Sequence, residues 1–256
     1  MTTTEARPGA RVTTAAKVEH LTKRFGTGPV VLDDVSLDVA PGEFVCLIGA
    51  SGCGKSTLLS VLAGLEKPTS GSVSVAGGRA ALMFQESALL PWLTAAGNVE
   101  LALRLAGMGR AERREEARRL LALVRLEDAA KQRPHELSGG MRQRVALARA
   151  LAQRTPVLLM DEPFGALDAI TRDLLHEELA RVWRETGVSV VFVTHNVREA
   201  VKLGQRILLL SSRPGRVIET WDVDIPGARV LESPPVAALS AEITDRLRKE
   251  ISRHAA

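Results

Sequence analysis

Gly49-Ala50-Ser51-Gly52-Cys53-Gly54-Lys55-Ser56-Thr57 follows the apolar run Phe44-Val45-Cys46-Leu47-Ile48 and leads into a stretch of helical spacing. Its glycines let the backbone curl until successive N–H groups converge on one point, and the helix that follows adds the positive end of its dipole. Such a turn fits the pattern G-x-x-x-x-G-K-[ST], a loop that wraps phosphate oxygens. Lys55 then neutralises the β- and γ-phosphates, Ser56 offers a hydroxyl to Mg²⁺, and Thr57 hydrogen-bonds an inner phosphate. A plain glycine-rich turn between strand and helix does not account for Lys-Ser-Thr at the helix start. Cys53 reads in two ways, as a thiol activated by the helix N-terminus or as a small residue that fills the turn.

Two further apolar runs end in polar side chains. Val157-Leu158-Leu159-Met160 runs into Asp161 and Glu162, and Val190-Val191-Phe192-Val193 runs into Thr194 and His195. A parallel sheet delivers its ligand-binding groups at the carboxyl ends of its strands, so Asp161, Glu162 and His195 are expected beside the phosphate loop. Asp161 would hold Mg²⁺ through its water shell. Glu162 would orient and polarise the attacking water, and His195 would hydrogen-bond the γ-phosphate.

Strand-like runs recur at residues 30–39, 43–48, 73–75, 80–84, 157–160, 188–193 and 206–210, and helical spacing at 56–65, 166–185 and 196–203. Their alternation predicts an α/β fold with a mostly parallel sheet covered on both faces. The rhythm stops between residues 86 and 154, where helices are expected at 111–125 and 140–153 as a helical insertion. A last amphipathic helix is expected at about 236–252, after Pro234 and Pro235. Residues 1–16 carry no continuous apolar core and read as a loose tail and not as a secretory signal.

The longest apolar runs in the 256 residues are strand-sized, which argues against a membrane span. Two cysteines, Cys46 and Cys53, make a disulfide framework unlikely as the basis of the fold. The net charge of +4 comes largely from arginines scattered along helices, and 3 % aromatic residues with no Tyr argue against base stacking, so no nucleic-acid partner is expected.

A phosphate loop with a carboxylate strand fits kinases, helicases, GTPases and many ATPases alike. Leu137-Ser138-Gly139-Gly140-Met141 narrows the choice. Ser138 and two glycines open a helix, which makes a second anion-binding helix terminus in a chain with one nucleotide loop. Paired glycines weaken a helix unless something must come close to its backbone.

At these residues the chain resembles the ABC ATPases, whose signature is LSGGQ followed by a carboxylate strand and a D-loop, here Ala166-Leu167-Asp168. The resemblance spans residues 18–217 and departs at Met141, where the signature commonly has Gln. It implies a P-loop NTPase core with an antiparallel β edge and a helical subdomain over about 86–154, within an ATPase domain of residues 17–225, followed by a C-terminal helical extension over 226–256. It implies ATP and Mg²⁺ as ligands. It also implies a head-to-tail pair, with a second copy or a paralogous ATPase, in which Ser138, Gly139 and Gly140 of one subunit close on ATP held by Lys55 of the other. Phe25 matches the aromatic placed against adenine, although a core aromatic is the plain alternative. Gln85 matches the Q-loop residue that touches Mg²⁺ and the attacking water.

Apolar residues around Leu89-Leu90-Pro91-Trp92-Leu93 follow Gln85. They read as core packing or, by the resemblance, as a surface over residues 85–94 that docks an integral membrane permease, with a solute-binding protein involved indirectly. That run and Ser212-Arg213-Pro214-Gly215-Arg216 are similar to the importer ATPases for nitrate, sulfonates and taurine. An importer motor peripheral to the cytoplasmic face of the membrane is therefore expected, with an exporter motor or a soluble ABC ATPase acting on nucleic acid as alternatives.

Overall fold

The computed structural model describes residues 14–227, 229–230 and 233–254. Two sheets organise it. An antiparallel sheet has the order β2-β1-β4, built from β1 (Ala16–Arg24), β2 (Val30–Val39) and β4 (Ser70–Val75). The larger sheet comprises β3 (Phe44–Gly49), β5 (Ala81–Met83), β6 (Val157–Asp161), β7 (Ser189–Val193), β8 (Arg206–Leu210) and β9 (Val217–Asp222). Its order is β5-β6-β7-β3-β8-β9, parallel except for β9, which pairs antiparallel with β8.

Side chains alternate across a strand, and here the alternation divides the core in two. Phe44, Cys46, Ile48, Leu158, Met160, Val190, Phe192, Ile207 and Leu209 point into one apolar cluster. Val45, Leu47, Val157, Leu159, Val191, Val193, Leu208 and Leu210 point into the other. The second cluster lies between the two sheets and takes Leu58, Leu59 and Leu62 from α1 (Lys55–Leu62). The first takes the apolar stripes of α2 (Ala95–Leu105), α3 (Arg110–Leu123), α4 (Gly139–Leu151), α5 (Ala169–Thr186) and α6 (Val197–Leu203). A last helix, α7 (Pro234–His254), adds Val236 and Ile243 to that cluster and packs on α6. Continuous apolar strands are what a sheet buried on both faces requires.

Three elements escape the sequence periodicity. In β1 the register shifts between Val18 and Leu21, with His20 at φ 49°, so the apolar alternation breaks where a period of two would be read. β9 is an edge strand with half-buried side chains, and α2 lies inside the expected helical insertion without having been delimited. The expected helix at 166–185 begins three residues later, because Asp168 caps it by accepting from Thr171 N at 3.0 Å and leaves 162–168 as a turn. Of the expected tail, residues 1–13 lie outside the described residues. Ala15 and Ala16 instead are buried, Ala16 pairing with Val39 and Val75.

Candidate nucleotide site

Loop 49–57 leaves the carboxyl end of β3 and turns into α1 at Gly54, whose φ of 107° is one that side chains rarely adopt. No side chain caps α1, so its first N–H groups remain available to an anion in the loop. The Lys55 ammonium is buried to 6 % exposure and donates to the carbonyls of Gly49 and Ala50, each at 2.9 Å. That holds a positive charge over the loop. Cys53 is 1 % exposed, and burial pushes its thiol up, although Lys55 pulls the other way. Burial thus favours the turn-filling reading over the activated thiol. Cys53 fills the turn, its Sγ only 2.9 Å from where a Cβ on Gly49 would stand.

The parallel register sets the neighbours of the loop. Leu47 and Asp161 both pair with Val193 of β7, so the ends of β3, β6 and β7 lie on one edge. Burial pushes the Asp161 carboxyl up, opposed by a hydrogen bond with Ser56 and the charge of Lys55 and reinforced by the charge of Glu162. A half-buried carboxylate short of positive charge beside a hydroxyl is a fitting oxygen-donor set for Mg²⁺. No group of three or more His, Cys, Asp or Glu able to hold a metal occurs among the described residues.

Glu162 adopts φ 45°, and its N–H donates to Val193 O at 3.0 Å. A left-handed glutamate is strained, and such strain persists only where the surroundings impose it. Its carboxylate lies 3.0 Å from His195 Nδ1, which joins the ends of β6 and β7. Thr194, one residue earlier, donates to the buried Glu199 carboxylate at 2.6 Å. Arg172 of α5 lies 3.6 Å from that carboxylate and donates to the carbonyls of Phe164 and Leu167 at 3.2 and 2.7 Å. One buried network thus links the turn at 162–168 to the turn bearing His195. Arg172 and Glu199 were missed from the sequence, because their partners lie in other elements.

Ser138 is exposed and caps α4, accepting from Met141 N at 3.2 Å. A Cβ on Gly139 would stand 3.0 Å from Leu167 Cδ2, and one on Gly140 2.8 Å from Thr171 Cγ2. The paired glycines thus already have an intramolecular reason: the turn at 162–168 and the start of α5 lie against them. Met141 is half-buried and packs on the core. A cleft of about 380 Å³ opens beside Ser138 and Gly140, walled by Arg144, Thr171 and Arg181.

Gln85 is exposed, and its amide nitrogen lies 3.2 Å from the Cβ position of Gly165. α4 pins its loop: Gln143 donates to Gln85 O at 2.7 Å and Arg149 to Ser87 O and Ala88 O at 2.8 and 2.6 Å. The buried Asn98 braces the following turn by accepting from Leu90 N at 2.8 Å and donating to Thr94 O at 3.0 Å. None of Gln143, Arg149 or Asn98 carried a sequence signal beyond helical spacing. Trp92 is 67 % exposed, so the core-packing alternative fails for it, whereas Leu89 packs on the core. Phe25 is 48 % exposed with Lys23 Nζ 4.5 Å from its ring centroid, which removes the core-aromatic alternative.

The ABC transporter family profile matches residues 32–165, more than half of the chain. The chain belongs to the ABC transporter ATP-binding family. As a member of that family it is an ATPase. It is 51 % identical over 214 residues to the taurine import ATP-binding protein TauB of Chromobacterium violaceum, covering 80 % of this chain and 82 % of that one. It is 43 % identical over 235 residues to the nitrate import ATP-binding protein NrtD of Synechocystis sp., covering 86 % and 88 %. Among solved structures, the dimeric post-hydrolysis state of the ATP-binding cassette MJ0796 bound to ADP and Pi superposes with a TM-score of 0.70 at 35 % identity, covering 82 % of this chain and 100 % of that one. The helical insertion, mixed sheet and antiparallel sheet are those of an ABC cassette.

Proposed function

We propose that this ATPase drives an importer for a nitrate-like, sulfonate or taurine solute, as one of two cassettes paired head to tail on a separate membrane permease. Similarity to import ATP-binding proteins named for taurine and nitrate supports the direction and the solute class. The observation that carries the pairing is the exposed end of α4. Ser138 faces solvent and lines one cleft with Leu174 of α5, which is 63 % exposed, so an anion-binding helix end and an apolar side chain lie open together.

In this assignment Gly49, Ala50, Ser51, Gly52, Cys53 and Gly54 wrap the phosphates with backbone N–H groups, Lys55 and Thr57 bind phosphate oxygens, and Phe25 stacks on adenine. Ser56, Asp161 and Gln85 would hold Mg²⁺, and the ion would neutralise charge on the phosphates. Glu162 positions the water that attacks the γ-phosphorus as the bond to ADP breaks. His195 reaches the γ-phosphate, its ring orientation set by Glu162. Ser138, Gly139 and Gly140 of the second subunit close the site, and hydrolysis releases the clamp.

The permease would dock at 85–94, where Trp92 is exposed and Leu90 lines a groove of about 390 Å³ with Leu101, Leu105 and Arg149. Residues 17–225 form the ATPase domain, with 86–154 as its helical subdomain and the remainder as an extension. The chain would sit on the cytoplasmic face as a peripheral subunit; among the described residues no helix is long and apolar enough to cross a membrane. Co-expression with the membrane subunits encoded beside it should yield a stable complex whose ATPase activity in lipid vesicles is stimulated by taurine, another sulfonate or nitrate. Failure to co-purify with any integral membrane protein would overturn this assignment.

A further inference from the structure

The six residues 211–216 after β8 form a closed clasp. Ser211 donates through Oγ to Pro214 O at 2.7 Å, accepts there from Arg216 N at 2.9 Å, and donates through its own N–H to Arg216 O at 2.8 Å. The clasp is braced on two sides. Towards β2, Gly215 N donates to Val31 O at 2.9 Å, Asp33 N donates to Gly215 O at 3.0 Å, and the Arg216 guanidinium pairs with Asp33. Towards α7, Ser212 N donates to the buried Glu250 carboxylate at 3.1 Å.

From this braced position Arg213 reaches the phosphate loop, its Nε donating to Gly52 O at 2.7 Å. A trans peptide points its carbonyl and its N–H in opposite directions. Holding Gly52 O outward therefore turns the Cys53 N–H into the loop, where it donates to Ala50 O at 3.3 Å and closes the turn 50–53. Gly215 treats the next peptide in the same way. A Cβ there would stand 2.2 Å from Cys53 O, so the clasp backbone is pressed against that carbonyl and the Gly54 N–H turns inward with it. Gly52 itself, at φ +73°, leaves room for the guanidinium, which would stand 3.2 Å from an added Cβ.

We propose that Arg213 is a positioning residue for the phosphate loop, holding the Gly52 carbonyl outward so that the Cys53 N–H closes the turn on Ala50 O and the loop keeps its phosphate-binding shape before the nucleotide arrives. The clasp carries this role from α7 and β2, which places the C-terminal helix in mechanical contact with the site. This inference rests on the assignment of residues 49–57 to the nucleotide phosphates.

The test compares Arg213→Ala and Arg213→Lys in the full chain, with Lys55→Ala as reference. An exposed charge-assisted hydrogen bond predicts that Arg213→Ala weakens ATP and ADP binding about three- to tenfold while kcat at saturating ATP stays within about twofold. Arg213→Lys, which retains one donor, should recover most of the affinity. In the nucleotide-free protein, amide hydrogen exchange at Cys53 and Gly54 should quicken in Arg213→Ala with no change in melting temperature. Unaltered affinity, or unaltered exchange, overturns the proposal. If Lys55→Ala also binds ATP normally, the phosphate-loop assignment fails instead, and the exchange arm alone still decides whether Arg213 orders the loop.

Discussion

Two helix N-termini in this chain use the same physics and end up in opposite situations. The start of α1 has no side-chain cap, holds a buried lysine over its loop and shares a sheet edge with Asp161, Glu162 and His195. The start of α4 is capped by its own Ser138, lies open to solvent, and touches Leu167 and Thr171 but none of those acids among the hydrogen bonds of the described residues. On the proposed assignment, the first is a nearly complete phosphate site within one subunit. The second is then half a site, tied to the turn at 162–168 of its own chain. A helix end is thus a binding site only in proportion to what the tertiary structure sets opposite it.

The comparison breaks most visibly at Glu162. Glu162→Gln should preserve ATP binding, slow hydrolysis by about 10²- to 10⁴-fold and trap an ATP-bound dimer, because closure uses the α4 end and not the water-positioning carboxylate. Size-exclusion chromatography with ATP checks this, and a strictly monomeric Glu162→Gln chain would contradict it. Complementation is a sharper test. Lys55→Ala and Ser138→Arg chains should each be inactive alone, and an equimolar mixture should regain about a quarter of normal ATPase activity, since half the dimers are mixed and each of those holds one intact composite site. Activity in the Ser138→Arg chain alone would mean that each subunit is self-contained. The smallest expected effect concerns the packing of the α4 end. Gly140→Ala sets a methyl against Thr171 Cγ2 and should lower stability by about 1–3 kcal/mol in chemical denaturation. Adding Thr171→Ser, which removes that methyl, should restore most of the loss.

The parallel sheet, the phosphate loop and the carboxylate strand were legible because their signals are contiguous: an apolar run followed at once by its polar residues. β1 was not, since its bulge at His20 interrupts the alternation, and β9 was not, since an edge strand has no buried face to announce it. Within the site, Glu162 and His195 could be nominated from their strand ends, but their 3.0 Å approach depends on adjacent strands 33 residues apart in sequence. Cys53 shows an ambiguity that only burial weighs. Its position at a helix start left activation and turn filling equally open, and burial pushes the thiol up against the pull of Lys55.

By itself, then, the sequence determined the chemistry available to this protein: a phosphate loop, two carboxylates, a histidine and a serine-glycine helix end, each specified by neighbours in the chain. Tertiary structure alone decided how these are held. Arg213 meets Gly52 across 161 positions, Arg149 meets Ser87 across 62, and Gln143 meets Gln85 across 58. A carbonyl accepts a hydrogen bond whatever side chain its residue carries, so no pattern of residue types identifies such a pair. Only the folded backbone, by turning each carbonyl toward its donor, selects it.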